Sequence, residues 1–327
     1  MVPGSPIPDL EGGFRRKDLL GLAELSREEI LHVLHTAARF KEISEREIKK
    51  VPTLRGRSVI HLFMEPSTRT KTSFDVAAKR LSADTFAVGG SSSATSKGET
   101  RIETARNVEA MRPDILVIRH RHPGSAALLA RILSCSVINA GDGSHEHPTQ
   151  ALLDMMTIRD RLGSLEGRTV TIVGDITHSR VIRSNLHGLR KLGAQVRVCG
   201  PPTMIPPGIE RLGCRAYEDL REAIDGVDVV MMLRIQMERL GRKGQLLPSE
   251  REYANRWGLT LDSMQYTRDD VLVMHPGPIN RGVEMAPEVA DGPWSIILDQ
   301  VTNGVAVRMA VMYLLAPKGG SLARDDS

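Results

Sequence analysis

The sequence predicts an α/β protein of two domains, each a mostly parallel sheet flanked by helices, joined by inter-domain helices. Short runs rich in Val and Ile recur along the chain, and stretches of helical period separate them. That is the pattern of strands covered on both faces. The runs form two series with one long helical pattern between them, and 327 residues are long for a single compact unit and sufficient for two.

Taken in order, Ser26 with Glu29 forms a capping box ahead of an apolar period at Ile30, Leu31, Leu34, Ala37 and Ala38, which predicts a helix. The first strand series is Ser58–Phe63, Asp84–Val88, Ile115–Ile118 and Val137–Asn139. The second is Thr169–Val173, Gln195–Cys199, Val227–Leu233 and Val271–Met274. Between them the pattern Gln150–Leu162 reads as a joining helix that ends at Gly163-Ser164. A last helix, about Gln300–Leu315, is too apolar to stand alone and should pack back on a core. The expected domains are residues 1–149, with the C-terminal helix of about 300–316 returning to them, and residues 150–299.

Composition narrows the function classes. Hydrophobic residues make up 41% and charged residues 26%, which suits a soluble globular chain, while aromatics are only 3%. The net charge of +4 and pI near 9.0 come from basic residues interleaved with acids. Without a basic cluster, and with few rings to stack bases, nucleic acid is not an expected partner. No apolar stretch approaches the roughly 18 residues of a membrane span, so no membrane association is expected. Met1 to Asp9 lacks the basic lead and apolar core of a secretory signal. Cys135, Cys199 and Cys214 lack metal-type spacing and lie in or beside apolar stretches, as buried thiols of a reducing, cytoplasmic interior do.

The least ordinary residues follow the strands, where ligands bind in open α/β sheets. After the first strand come Glu65-Pro66-Ser67-Thr68-Arg69-Thr70 and then helical spacing. Hydroxyls and an Arg at a helix N-terminus favour an anion, whereas an ordinary Ser cap needs one hydroxyl only. The third strand ends in Arg119-His120, an Arg that needs either a ligand or a rim salt bridge. The fourth leads through Asn139-Ala140-Gly141-Asp142-Gly143 to His145-Glu146-His147-Pro148-Thr149-Gln150. His145 and His147 are poorly spaced for zinc. A neutral His147 donating to a carbonyl, with Gln150 a turn later, suits acyl chemistry better. Lys97-Gly98-Glu99 lies in a polar segment that reads equally as a solvated loop. Val173-Gly174-Asp175 with Ser179-Arg180 lacks the three glycines of a dinucleotide fingerprint. Leu233-Arg234-Ile235-Gln236 and the proline-locked His275-Pro276-Gly277-Pro278 close the series.

Together these segments, in this order from about Lys17 to Leu315, resemble the aspartate carbamoyltransferases. The resemblance implies transfer of the carbamoyl group of carbamoyl phosphate to L-aspartate, in pyrimidine biosynthesis. It implies a carbamoyl-phosphate domain, an aspartate domain, and a homotrimer whose active sites are shared between neighbours. On the matching motifs, Ser67, Thr68, Arg69 and Thr70 should hold the phosphate, with Thr70 also touching the carbonyl oxygen. Arg119 and His147 should polarise that carbonyl, and Gln150 should hold the carbamoyl amino group. Lys97 and Ser93 should reach in from the adjacent subunit. Arg180, Arg234 and Gln236 should bind the aspartate carboxylates, the backbone at Gly277 and Pro278 should meet the incoming groups, and Glu65 should pair with Arg180 and Arg239 on closure. The chain departs from the family pattern at Lys71, Asp75 and Gly277. No cofactor and no metal are expected, since the family's cysteine-bound zinc belongs to a separate regulatory chain. Such a chain, or a dihydroorotase, is a possible further partner.

Three rivals remain. A carbamoyltransferase for another amine, such as ornithine, should carry an acid for the side-chain amine and a Cys in the last turn, where this chain has Arg234, Gln236 and His-Pro-Gly-Pro. An NAD-dependent oxidoreductase fits two α/β domains but not the lone Gly174. An inactive scaffold would have no need of the intact set of site residues.

Overall fold

In the computed structural model of the chain, residues 14–89, 101–235 and 249–317 are described. They form two compact units. One takes the described residues within 1–21, 28–149 and 304–327, and the other those within 22–27 and 150–303.

The first unit opens with helix α1 (Arg27–Glu45) and continues β1 (Ser58–Phe63), α2 (Thr68–Arg80), β2 (Asp84–Gly89), α3 (Arg101–Ala110), β3 (Ile115–His120), α4 (Ser125–Ile132) and β4 (Ser136–Asp142). Its four strands are all parallel, in the order β2-β1-β3-β4. Each crossover helix covers a face, which is why the strands read as nearly unbroken apolar runs. Ile60, Leu62, Leu116, Ile118 and Val137 pack with Ala105 and Val108 of α3 and Ala126 and Leu129 of α4. On β1 the intervening His61 stands edge-on to Phe63 and to Phe74 of α2, with ring centres 6.4 and 6.3 Å away. Burying Phe74 completely contributes about 2–3 kcal/mol. From the last helix (Ile297–Leu315), Arg308 lies 5.1 Å over the Phe74 ring and donates to Ser73 Oγ at 2.9 Å.

His61 makes this core sensitive to acid. Burial holds its imidazole down to about 4 from 6.5. Asp75 opposes that shift, and Lys71 and Lys79 reinforce it. Between these values the unfolded chain takes up a proton that the folded chain refuses. Stability is therefore full above about pH 6.5 and falls as pH drops toward 4, by on the order of 3 kcal/mol. Urea midpoints at pH 7 and pH 4.5 should show this fall, and His61→Leu should flatten it. An equally steep fall in the variant would assign the acid sensitivity to other groups.

The second unit begins at Gln150 within α5 (Pro148–Leu162) and runs β5 (Thr169–Val173), α6 (Arg180–Lys191), β6 (Gln195–Cys199), β7 (Arg215–Tyr217), α7 (Leu220–Ile224), β8 (Val229–Met232), a helix at Glu250–Trp257 and β9 (Leu272–Met274). The five strands are parallel, in the order β7-β6-β5-β8-β9. Val173, Val230, Met232 and Val273 pack with Ala223 and Ile224 of α7 and with Tyr253 and Trp257. Gly163, at φ 77°, ends α5 with its N–H on Arg159 O.

The edges of several strands differ from the sequence reading. β7 is absent from that reading because only one of its three residues is aliphatic and none is buried. β8 starts at Val229 rather than Val227, whose N–H closes a turn onto Ile224 O. β4 runs on to Asp142, past a register shift opposite Ile118–His120. All three cysteines are buried, and burial pushes Cys135 up to about 11 and Cys199 up to about 12, so both stay as unreactive thiols. Among the described residues no helix is long and apolar enough to cross a membrane.

Candidate functional site

Both sheets reverse their strand order once. In the first unit successive connections run outward from β1 on one side and β3 on the other; in the second the division falls between β5 and β8. At such a point the loops leaving two adjacent strand ends diverge and open a crevice at the carboxyl edge. The unusual residues collect at these two places.

In the first unit, β1 and β3 end in register, Phe63 opposite Arg119, and Met64 N–H donates to Arg119 O at 2.9 Å. Beyond Phe63 the chain turns at once into α2, with Ser67 at the N-cap in extended conformation and Thr68, Arg69 and Thr70 in the first turn. Thr68 and Arg69 are exposed and Ser67 and Thr70 half-buried, so a hydroxyl-rich helix start faces outward. Arg119 is mostly buried. Its guanidinium donates to Ala140 O at 3.1 Å and pairs with Glu65 at 3.3 Å. The Arg119 side chain is thus fixed by both neighbouring strand ends. Glu65 therefore engages Arg119, a partner the sequence did not assign to it; of its two expected partners, Arg180 belongs to the second unit and Arg239 lies outside the described residues.

The turn after β4 is held by Asp142. It accepts from Gly124 N–H at 2.7 Å, Asn139 Nδ2 at 2.8 Å and Glu146 N–H at 3.2 Å, with His145 Nδ1 at 3.3 Å. This cage delivers the buried His147 and Thr149 to the start of α5. His145 is exposed and turned to Asp142, and among the described residues no three His, Cys, Asp or Glu side chains are grouped as a metal would need.

In the second unit Arg180 opens α6 and is only 4% exposed. A buried cation at a helix N-terminus opposes the helix dipole, so helix stability alone does not account for it. Gly174 sits at φ 139°, and a Cβ there would lie 2.8 Å from Leu233 Cβ. A Cβ on Gly200 would meet Gly174 O at 2.4 Å. Only glycines let the ends of β5, β6 and β8 come this close. Arg234 follows β8 half-buried between Leu233 and Ile235, which are fully buried. Leu233 N–H donates to Val173 O at 2.8 Å, and Ile235 N–H donates to Glu284 Oε1 at 2.8 Å. Beyond β9, His275 Nδ1 accepts from Gly277 N–H at 2.7 Å, and the Gly277–Pro278 bond is cis with Gly277 at φ 64°. That left-handed φ suits the glycine by which this chain departs from the family pattern.

Ser93, Lys97, Gln236 and Arg239 lie outside the described residues. The other expected residues divide between the units. Glu65, Ser67, Thr68, Arg69, Thr70, Arg119 and His147 belong to the first, and Gln150, Arg180, Arg234, Gly277 and Pro278 to the second.

Two buried acids behind these residues escape sequence reasoning. Glu284 accepts from Ile235 N–H, Asn280 N–H at 2.7 Å and Asn280 Nδ2 at 2.7 Å, and Asn280 Nδ2 also donates to Ile235 O at 3.1 Å. Burial pushes the Glu284 carboxyl up, against these hydrogen bonds. Asp154, fully buried, accepts from Gln150 Nε2 at 3.0 Å, Gln300 Nε2 at 2.8 Å and Asn185 Nδ2 at 2.9 Å. A lone acid within Leu152-Leu153-Asp154-Met155-Met156, one turn after Gln150, is the signal that could have found it.

The geometry agrees with what the chain resembles. The family described as aspartate/ornithine carbamoyltransferase matches it twice, as the carbamoyl-P binding domain over residues 17–160 and as the Asp/Orn binding domain over residues 166–315. The aspartate carbamoyltransferase catalytic subunit of Geobacter sulfurreducens is 59% identical over 317 residues, 96% of this chain and 100% of that protein. That of Anaeromyxobacter sp. strain K is 58% identical over 311 residues, 95% and 99% of the two chains. Among solved structures, aspartate transcarbamoylase from Trypanosoma cruzi, in complex with carbamoyl aspartate and phosphate, superposes with a TM-score of 0.84 at 27% identity, covering 95% and 99% of the chains. Ornithine carbamoyltransferase from Pyrococcus furiosus gives 0.81 at 28%, covering 93% and 97%. With both family domains matched in order and near-complete relatives at almost 60% identity, this chain belongs to the aspartate/ornithine carbamoyltransferase family.

Proposed function

We propose that the chain transfers the carbamoyl group of carbamoyl phosphate to the amino group of L-aspartate, giving N-carbamoyl-L-aspartate and phosphate. The observation that carries this reading is the 58–59% identity to aspartate carbamoyltransferase catalytic subunits over almost the whole chain. The fold alone does not choose the acceptor, because an ornithine enzyme superposes nearly as well. Arg180 and Arg234, two cations that follow strand ends of the same unit, support an acceptor with two carboxylates over ornithine with one.

In this reading the first unit takes carbamoyl phosphate and the second takes aspartate. The phosphate sits on the N–H groups and hydroxyls of Ser67, Thr68 and Thr70, with Arg69 as counter-charge. Arg119, His147 and Thr70 donate to the carbonyl oxygen as it gains charge, each such donor worth roughly 3–4 kcal/mol. Gln150 holds the carbamoyl amino group. Arg180, Arg234 and Gln236 bind the aspartate carboxylates, and the backbone of Gly277 and Pro278 meets the incoming groups. The neutral amine attacks the carbonyl carbon, the C–O bond to phosphate breaks, and the departing phosphate takes the amine proton. Orienting two anions for this attack contributes on the order of 7–11 kcal/mol. Lys97 and Ser93 act from a neighbouring copy in a homotrimer.

The test is product formation from carbamoyl phosphate with a panel of amines. Aspartate should be carbamoylated with a kcat/KM at least roughly a thousandfold above that for ornithine, the margin expected when buried cations demand a second carboxylate. Ornithine as the better acceptor would overturn the reading.

A further inference from the structure

Asp154 sits at the centre of a buried network whose chemistry limits what Gln150 can do. Three side-chain amides converge on its carboxylate: Gln150 and Gln300 on Oδ1, and Asn185 on Oδ2. Asp154 and Asn185 are wholly buried, Gln300 is 3% exposed and Gln150 8%. A carboxylate only accepts hydrogen bonds, so each of the three amides must turn its NH2 toward Asp154 and its oxygen away. Gln300 shows the consequence, since its Oε1 accepts the His275 N–H at 3.0 Å. The same constraint leaves Gln150 with its Oε1 directed away from Asp154, as an acceptor. An asparagine at 154 would impose no such order, because its own NH2 welcomes a reversed glutamine. Three charge-assisted hydrogen bonds offset the cost of burying the carboxylate.

We propose that Asp154 is a positioning residue that locks Gln150 as a hydrogen-bond acceptor, and so makes the site select a carbonyl phosphate that carries N–H over an isostere that does not. This rests on the reading of Gln150 as the partner of the carbamoyl amino group. Acetyl phosphate is the probe, because a methyl group replaces the amino group while the carbonyl and phosphate remain. The lock explains selection at a position where shape cannot discriminate, an amino group and a methyl group being nearly the same size.

The experiment compares the carbamoyl phosphate KM with the inhibition constants of acetyl phosphate and inorganic phosphate, in the full-length wild type and in Asp154→Asn. In the variant the preference for carbamoyl over acetyl phosphate should fall by about tenfold or more, the effect of one misdirected buried hydrogen bond. Inhibition by inorganic phosphate should stay within about twofold, showing an intact phosphate site. In a Gln150→Ala background, Asp154→Asn should change the preference no further. A preference that survives Asp154→Asn with phosphate binding intact, or two effects that simply add, overturns the inference. Should Asp154→Asn not fold, the wild type decides, since equal binding of the two acyl phosphates excludes a fixed acceptor. A wild type that carbamoylates no amine overturns the functional reading itself. One that does so while the variant keeps its preference overturns only the role of Asp154.

Discussion

Arg234→Ala should lower kcat/KM for aspartate by a factor of about 30 to 1000, equivalent to ~2–4 kcal/mol for removing a charge-assisted hydrogen-bonding group from a partly desolvated site. The backbone on either side of this residue is fixed. Leu233 is tied to β5 through Val173 O, and Ile235 is tied to Glu284 and Asn280. The guanidinium therefore projects from a defined Cα and has little freedom to be replaced by a neighbour. Both the aspartate KM and kcat should worsen, while the KM for carbamoyl phosphate stays within about twofold. Arg234→Lys should recover only part of the activity, because an ammonium cannot grip a carboxylate through two parallel hydrogen bonds. Saturation curves for each substrate measure this. Unchanged aspartate kinetics in Arg234→Ala would make the residue structural and remove the main geometric support for aspartate as acceptor.

The second large effect is expected at Arg69. Arg69→Ala should weaken inorganic phosphate and carbamoyl phosphate by about a hundredfold, the worth of one charge-assisted hydrogen bond to an anion at a helix N-terminus. Arg69→Ala is then inactive at limiting carbamoyl phosphate, and Lys97→Ala should be inactive under the same conditions. If Lys97 serves the neighbouring copy's substrate, mixing the two inactive chains should restore activity, because hybrid trimers hold interfaces where both wild-type residues meet. Verified hybrids without any recovery would remove Lys97 from the neighbour's site.

How far the sequence reveals this molecule depends on how local each signal is. β1, β5 and β6 coincide with their predicted runs, since buried apolar residues form the majority of each. β7 escapes notice because an edge strand of Arg-Ala-Tyr carries no such pattern. Ser67–Thr70 announce themselves because all four residues are contiguous at one helix start. Arg119 is ambiguous between ligand and rim ion pair, and its 3.3 Å pair with Glu65 explains the ambiguity, because the partner is 54 residues away. Glu284 is out of reach for the same reason, and Asp154 shows only as a lone acid in an apolar run. Gln300 meets Asp154 across 146 residues, and Ile235 meets Glu284 across 49. Residues grouped contiguously by chemistry advertise themselves in sequence, whereas those held by distant partners do so only through the fold.

The close approach of Gly174 and Gly200 bears on how this scaffold can acquire new acceptors. A side chain at 200 would push directly on the carbonyl of 174, and one at 174 would push on Leu233, whose next residue is Arg234. The loop that leads to Arg180 and the strand end that carries Arg234 are therefore geared together through bare backbone. Diversifying either glycine shifts both cations at once, so a library built there samples damaged sites rather than altered ones. The exposed Arg281, which follows the Glu284-bound Asn280 and pairs with Asp291, can change side chain without entering that gear. New specificities in this fold should accordingly be sought at the last turn before the loops after β5 and β6.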